Sequence, residues 1–600
     1  MAYALAPNHP EIQKNYLDAE IASLLRAERF REAIPIAVRR VEMQAGSAAS
    51  QRDLGYCYWK TGKPLDAIKC FTRAINLDPN NASYYNDLGL VCFDLRLLAE
   101  AQGAFQEVLR LQPKSIPAFT HLALLANLTG LTGLAIGFLR RALDVDPNCG
   151  EARNNIALFL RDQGEQVECR EHYEAAIRLK PENTSVFSGY LLALNDDPHL
   201  ESAWIAKQHR RFQALIKGDL RDVRPRELDS ARKLRVAYVS PDFRRHSVAF
   251  FIAPILRAHD RSAVEVTCYS TGLAEDDMTT AIKASVDSFH NVYRMADDDL
   301  AQRIKDDGID ILVDLSGHTA DSRLVMMGRR AAPIQVTYLG YPNTTGLSQM
   351  DYRVTDTVAD PVGMTEEFYT EKLARLEGGF LSYRPAEFAA QLPVAELPAG
   401  DAGHVTFGSF NNLAKINDLV LDTWASILEQ VPDSCLLLKA RGLRNDDVKA
   451  RIVAAFAGRG VDGENRVRLM GHEHSPVDHL QTYNRIDIAL DTFPYNGTTT
   501  TCEALWMGTP VVTFEGRTHA GRVGASILTH AGLTELLAKD RRGYIERAVA
   551  LGKDLDALAG VRRGLRERFA SSAVMDAGRL ARGLERLYRE AWIKYCAAAT

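Results

Sequence analysis

The sequence predicts an all-α repeat superhelix followed by an α/β region made of two doubly wound lobes. Three observations carry this: a 34-residue period early in the chain, alternating strands and helices from Lys233 onward, and a proline-rich link, Gln391–Gly400, that divides the alternating part in two. Six hundred residues exceed what one core accommodates. The expected domains are repeats over 14–183, linking helices over 184–231, an N-terminal lobe over 232–395 and a C-terminal lobe over 396–600.

The period is read from columns. Pro79, Pro113, Pro147 and Pro181 are 34 apart, as are Ala67, Ala101, Ala135 and Cys169. A small column (Gly55, Gly89, Ala123, Ala157) and a large one (Phe71, Phe105, Leu139, Tyr173) keep the same step. This is the tetratricopeptide pattern, in which each unit is a helical hairpin: small residues let the helices approach, the large residue fills the gap to the next repeat, and proline stops the second helix. Four repeats span about Ala48–Asn183, and a degenerate fifth, Lys14–Ser47, keeps Ala33 in phase. Asp53, Asp87, His121 and Asn155 share one position on successive first helices. That column is either an ordinary solvated helix face or a ladder of side chains that holds the backbone of an extended protein acceptor. Ser185–Leu194 and Leu200–Ile216 then read as linking helices.

Composition narrows the class. Apolar content of 46%, 25% charged residues and a net charge of −5 describe an ordinary globular chain without the basic stripe of a nucleic-acid binder. Nine scattered cysteines with no CxxC pair suit a reducing compartment, the cytoplasm, and no zinc site. The first residues lack a secretory pattern. Leu122–Leu139 is an uncharged 18-residue stretch, but it holds Asn127 and falls inside a repeat, so no membrane span is expected.

In the α/β half, the runs Leu234–Ser240, Val264–Ser270, Ile309–Gly317, Pro333–Gly340 and Asp351–Asp356 read as strands of the first lobe. Val405–Phe410, Cys435–Ala440, Arg466–Gly471, Ile486–Thr492 and Thr509–Phe514 read as strands of the second. Ligands of such folds sit beyond the carboxyl ends of strands. Strand ends place Asp242, Arg244, Arg245 and His246 together, then Asp314, Ser316 and His318, then Asn411, Asn412 and Lys415. His472, His474 and His479 form a further group, for which metal binding is a weak rival because no carboxylate or thiolate partner is evident. No GxGxxG or P-loop motif appears.

The central stretch runs from Arg485 to Gly516. A short strand is followed by Pro494 and Gly497, four hydroxyls at Thr498–Thr501, and a helix expected over Cys502–Met507 with Glu503 in its first turn. Strand, glycine turn, hydroxyls and helix N-terminus in that order make an anion cradle. The plainer alternative has Thr500 or Thr501 merely as an N-cap.

These residues resemble the O-GlcNAc transferase/SPINDLY family of protein O-glycosyltransferases. The likeness is carried by GHT at Gly317–Thr319, APIQVTYLGYPNTTG at Ala332–Gly346, TFGSFNNLAKI at Thr406–Ile416 and DTFPYNGTTTTCEALWMGTP at Asp491–Pro510. It implies a two-lobed GT-B catalytic region after the repeats, and inverting, metal-independent sugar transfer from a nucleotide sugar to Ser or Thr, with no cofactor. By the same resemblance, Lys415 and Asn412 match positions on the diphosphate, and Thr499, Thr500 and Thr501 the cradle. Glu503 matches an acidic residue near the ribose, His479 the histidine that stacks on the base, and His246 the histidine discussed as base or positioning group. Thr498 and Pro476 stand where animal members have histidine and lysine, and the motifs are closest to SPINDLY. By the resemblance these positions lean toward the GDP-fucose of SPINDLY, whereas bacterial members usually carry the GlcNAc label; GlcNAc from UDP-GlcNAc is the expected transfer, with GDP-fucose the alternative donor. The rival classes are a non-catalytic repeat scaffold, opposed by Lys415, His246 and the cradle, and a sugar-nucleotide epimerase, opposed by the repeats.

Overall fold

The computed structural model describes residues 10–599 except Arg226 and His474. It comprises two compact units, one ending at Phe159 and one beginning at Leu160.

The first unit is a run of antiparallel helix pairs, from Pro10–Arg26 with Phe30–Met43 to Ile116–Leu128 with Thr132–Val145. Second helices end at Leu77, Leu111 and Val145, each two residues before its column proline. Asn81 and Ser115 cap the helices that follow. The small column works within its own hairpin: a Cβ on Gly55 would stand 2.9 Å from the Phe71 ring, and one on Gly89 2.6 Å from the Phe105 ring. Each large residue also reaches the next repeat, Phe71 clustering with Val91 and Phe105 with Leu122 and Leu125. The large column thus fills the gap inside its own repeat as well as the one to the next.

In the second unit the helices Gln166–Leu179, Thr184–Ala193 and Ser202–Arg211 precede two parallel sheets. The first sheet has β1 (Leu234–Ser240), β2 (Val264–Ser270), β3 (Ser288–Asn291), β4 (Ile311–Asp314), β5 (Ile334–Thr337), β6 (Tyr352–Thr355) and β7 (Lys372–Arg375), ordered 3-2-1-4-5-6-7. The second has β8 (Thr406–Ser409), β9 (Cys435–Lys439), β10 (Val467–Met470), β11 (Ile488–Leu490), β12 (Val511–Phe514) and β13 (Leu537–Ala538), ordered 10-9-8-11-12-13. Order reverses beside β1 and β8, so the chain ends that follow those strands are the switch points where doubly wound folds bind ligands. The central strands are largely buried on both faces and mostly apolar, with polar side chains such as Asp314 and Gln335 buried among them. The last helix, Ala577–Ala599, returns to the first lobe: Leu580, Leu584, Tyr588 and Trp592 share a core with Leu234 and Val236. Tyr588 and Tyr238 hydroxyls meet at 3.1 Å, and Glu585 pairs with His259 at 2.8 Å.

Candidate active site

A cavity of about 940 Å³ lies between the lobes, beyond the ends of β1, β8, β9 and β11. His246 reaches it from the first lobe. Asn411, Asn412, Lys439, His479, Thr499, Thr500 and Glu503 reach it from the second.

The cradle forms as Thr499–Trp506, a helix that begins three residues earlier than expected. Thr498 holds the N-cap position without a side-chain cap bond, so neither Thr500 nor Thr501 is the cap, and Glu503 falls beyond the first turn. Gly497 is required by close approach: a Cβ there would stand 2.4 Å from Thr500 Oγ1 and 2.9 Å from Asn411 Oδ1. The turn is organised by buried Asp491, which accepts hydrogen bonds from Gly497 N (2.7 Å), Thr513 Oγ1 (2.8 Å) and Thr492 N (2.9 Å). Burial nevertheless pushes the Asp491 carboxyl up to about 6. Thr500 Oγ1 donates to Asn411 Oδ1 at 2.8 Å. Thr501 is buried and its hydroxyl turns back to Gly497 O at 3.1 Å, so of the three threonines only Thr499 and Thr500 line the cavity.

Lys415 ends the turn Leu413–Lys415, whose N-cap is Asn412; Asn412 Oδ1 accepts from Ala414 N at 3.1 Å. Lys415 lies behind the cradle, half-buried, with Nζ donating to Asn496 O at 2.7 Å and 3.8 Å above the Tyr495 ring. Burial pushes its ammonium down to about 8, against the pull of Asp196 and Asp491.

His479 is held on both sides. Lys439 Nζ donates to its Nδ1 at 3.0 Å, which fixes the proton on Nε2, and Nε2 donates to Glu503 Oε2 at 3.0 Å. Tyr483 also donates to Glu503, and His472 stacks on His479 with ring centroids 5.8 Å apart. With both nitrogens engaged, His479 has no lone pair for a metal, and no cluster of three or more ligating side chains exists among the described residues. His474 lies outside those residues. Lys439 is a site residue that strand-end reading passed over. It is the last residue of the apolar run CLLLK, where it sits 4.4 Å from the Phe410 ring and burial lowers it to about 8. A lysine closing a buried strand was the available signal.

His246 caps the helix Ser247–Ala258: Val248 N donates to its Nδ1 at 3.3 Å, and Asp242 Oδ2 lies 3.5 Å from the same nitrogen. Burial lowers the imidazole, opposed by Asp242, and raises the Asp242 carboxyl. A neutral ring with an accepting Nδ1 carries its proton on Nε2.

Asp314 and His318 belong elsewhere. His318 Nε2 donates to Thr345 O at 2.9 Å, Nδ1 faces Ser188 Oγ at 3.0 Å, and burial depresses the ring to about 3. Asp314 accepts from Ser316 N, Gly317 N and Thr337 Oγ1. Both are buried, and neither lines the cavity. In the repeats, Asp53 pairs with Arg40 and buried Asp87 with Arg52, each at 2.5 Å, so Asp53 ties its helix to the one before it and Asp87 ties the first helices of two successive repeats together. His121 stacks on Phe105 at 4.7 Å, and Asn155 accepts from Asn154 at 3.3 Å.

The model of glycosyl transferase family 41 matches residues 211–384 and 396–584, and a tetratricopeptide repeat model matches 53–116 and 132–184. The chain belongs to glycosyl transferase family 41, with the two-lobed GT-B fold behind a repeat region. It is 41% identical over 432 residues to the probable UDP-N-acetylglucosamine–peptide N-acetylglucosaminyltransferase SPINDLY of Oryza sativa subsp. japonica, covering 71% of this chain and 46% of that protein. With the Arabidopsis thaliana protein of the same name it shares 44% over 372 residues, 61% of this chain and 40% of the other. The chain therefore spans about half the length of the curated relatives it matches. A solved structure of a mutant Thermobaculum terrenum O-GlcNAc transferase is 36% identical, with a TM-score of 0.80 over 86% of this chain and 98% of that one.

Proposed function

We propose that the chain is a protein O-glycosyltransferase that moves GlcNAc, with inversion, from UDP-GlcNAc to serine or threonine of protein acceptors held by the repeats. The observation that supports this most is the single cavity on which His246 meets Asn412, His479, Thr499, Thr500 and Glu503. In this reading the acceptor hydroxyl displaces the nucleoside diphosphate at the anomeric carbon, and negative charge gathers on the leaving group. The free N–H groups at the start of Thr499–Trp506, the Thr499 and Thr500 hydroxyls, the Asn412 amide and the Lys415 ammonium offset that charge. Thr501 supports the turn from within. Lys439 and Glu503 hold the His479 ring for the base, with Glu503 near the ribose. His246, presenting Nε2–H, donates a hydrogen bond that positions the reactants. No metal or other cofactor is assigned a role.

A second reading, GDP-fucose as donor, is favoured by two positions. Pro476 lies on the cavity wall and Thr498 opens the cradle helix, and neither supplies a charge. For the acceptor, His121 and Asn155 keep more unspent polar capacity than Asp53 and Asp87. We place the protein in the cytoplasm on the strength of nine unpaired cysteines. Among the described residues no helix is long and apolar enough to cross a membrane.

Incubating the full chain with labelled UDP-GlcNAc or GDP-fucose and a protein lysate tests the proposal. Protein-bound label from UDP-GlcNAc is expected. Label from GDP-fucose alone selects the second reading, and label from neither favours the scaffold.

A further inference from the structure

A second cavity, of about 780 Å³, lies beyond the carboxyl ends of β5, β6, β12 and β13 and shares no lining residue with the first. Strand ends are where doubly wound folds take ligands, and this volume suits a small organic molecule. His519 forms part of the wall, although only 3% of it is exposed. Its Nδ1 lies 2.7 Å from Asp360 Oδ2, and its Nε2 has no hydrogen-bond partner among the described residues. Asp360 is wholly buried, and its oxygens also accept from the Thr355 and Thr365 hydroxyls. Burial works to raise the Asp360 carboxyl, but the charge and hydrogen bond of His519 hold it well below the usual carboxylate range. An ionised Asp360 keeps a proton on Nδ1, which leaves Nε2 as the oriented, unspent atom of the ring.

The charges around this ring do not cancel. Arg517, Lys539 and Arg541 line the cavity with no hydrogen bond or ion pair among the described residues. Of the acids on the same walls, Asp197 is held by Arg170, Glu515 lies 3.6 Å from Arg522, and Asp540 accepts from Gly543 N at 2.8 Å. Only Glu201 is left uncommitted among the described residues. The helix Arg541–Lys553 starts at this wall with two arginines and no acid in its first turn. Cations at the positive end of a helix dipole repel it, and an anion between them would relieve both. Phe368, Tyr369, Phe493 and Phe514 add apolar wall, so the space fits a phosphate joined to an organic body better than a bare ion.

We propose that this cavity binds a phosphate monoester, with His519 Nε2–H, Arg517 and Lys539 on the phosphoryl oxygens and the N-terminus of the helix Arg541–Lys553 facing them. A dianion accepts charge-assisted hydrogen bonds from all three side chains, and Asp360 is the counter-ion for the imidazolium that results. Two sources carry this chemistry: a small molecule such as a nucleoside monophosphate, and a phosphorylated side chain of a protein. The site is independent of which donor sugar the first cavity takes.

The experiment is calorimetric titration of the full chain in the presence of saturating UDP and, separately, saturating GDP, so that the first cavity is filled. The probes are adenosine monophosphate, a phosphoserine peptide and the same peptide without phosphate. At least one phosphorylated probe should bind and the plain peptide should not. Arg517→Ala combined with Lys539→Ala should weaken that binding by at least ~10-fold and leave titrations with UDP and GDP as in wild type. Both residues are exposed, so the double variant should melt like wild type. His519→Gln should weaken binding as well, and if its loss of the Asp360 bond impairs folding the double variant decides. Binding of the nucleotide alone assigns the site to small organic phosphates, and binding of the phosphopeptide alone to phosphorylated protein. Binding by neither, equal binding by the plain peptide, or wild-type affinity in the double variant overturns the proposal.

Discussion

In the N-terminal lobe the segments after β4 and β5 are buried, and their polar atoms are spent on the linking helices: His318 on Ser188, Tyr341 on His209 and Asn195. In the C-terminal lobe the segments after β8 and β11 open on the cavity through Asn411, Asn412, Thr499 and Thr500. Both sets stand at carboxyl ends of parallel strands, and both carry distinctive wording. The difference is what covers them. Helices Thr184–Ala193 and Ser202–Arg211 lie over the first set, so the hydrogen bonding of His318 and Tyr341 is satisfied internally, while the buried Ser316 hydroxyl has no partner among the described residues. Nothing among the described residues fills the space beyond the second. The N-terminal lobe contributes His246 from β1 instead, at its switch point.

Lys415→Ala should cut sugar transfer by at least ~10²-fold, the cost of one preorganised charge stabiliser, with little change in melting temperature. Single-turnover transfer and a thermal melt check both halves. Wild-type turnover would put the phosphate site elsewhere and erase the distinction between the lobes.

Gly497→Ala tests whether the cradle depends on close approach. Its Cβ would press on Thr500 Oγ1 and Asn411 Oδ1, which are hydrogen-bonded to each other. Loss of one or two charged hydrogen bonds to the diphosphate should weaken nucleotide binding by about one to two decades. Unchanged affinity for both UDP and GDP would mean that the turn does not shape the site.

Most of this architecture was legible in the chain, and the exceptions share a cause. Ten strands were expected where ten lie, whereas β3 (SFHN), β7 (KLAR) and β13 (LA) were not recognised. All three are sheet edges, where one-sided burial removes the apolar run that marks a central strand. The cradle helix was expected too late because three threonines are poor helix formers; the local anchor is the Asp491 network, invisible in local sequence. The repeat columns predicted packing accurately, yet could not reveal that Asp53 and Asp87 are tied to arginines.

If Pro476 and Thr498 mark a missing cation and a missing donor, GDP should bind at least ~10-fold tighter than UDP, and the pair Pro476→Lys with Thr498→His should raise UDP affinity measurably. UDP binding tighter by that margin, unaffected by the pair, would show that other groups carry uridine recognition and favour GlcNAc transfer.

The smallest effect on catalysis is expected at the most conspicuous histidine of the N-terminal lobe. His318→Ala leaves Ser188 Oγ and Thr345 O, both on buried residues, without their partner. That should cost ~1–3 kcal/mol of stability for each polar group left unsatisfied, visible as a lowered denaturant midpoint. Turnover per folded molecule should stay near wild type, because His318 does not line the cavity. His246→Ala should behave in the opposite way: half-exposed, with one weak cap bond, it should melt close to wild type and lose transfer. Running the two variants side by side, with activity normalised to folded protein, compares one lobe end built for packing with another built for chemistry. A His318 variant that is stable but inactive would show that the linking helices transmit function, and the assignment of that lobe end to packing would fail.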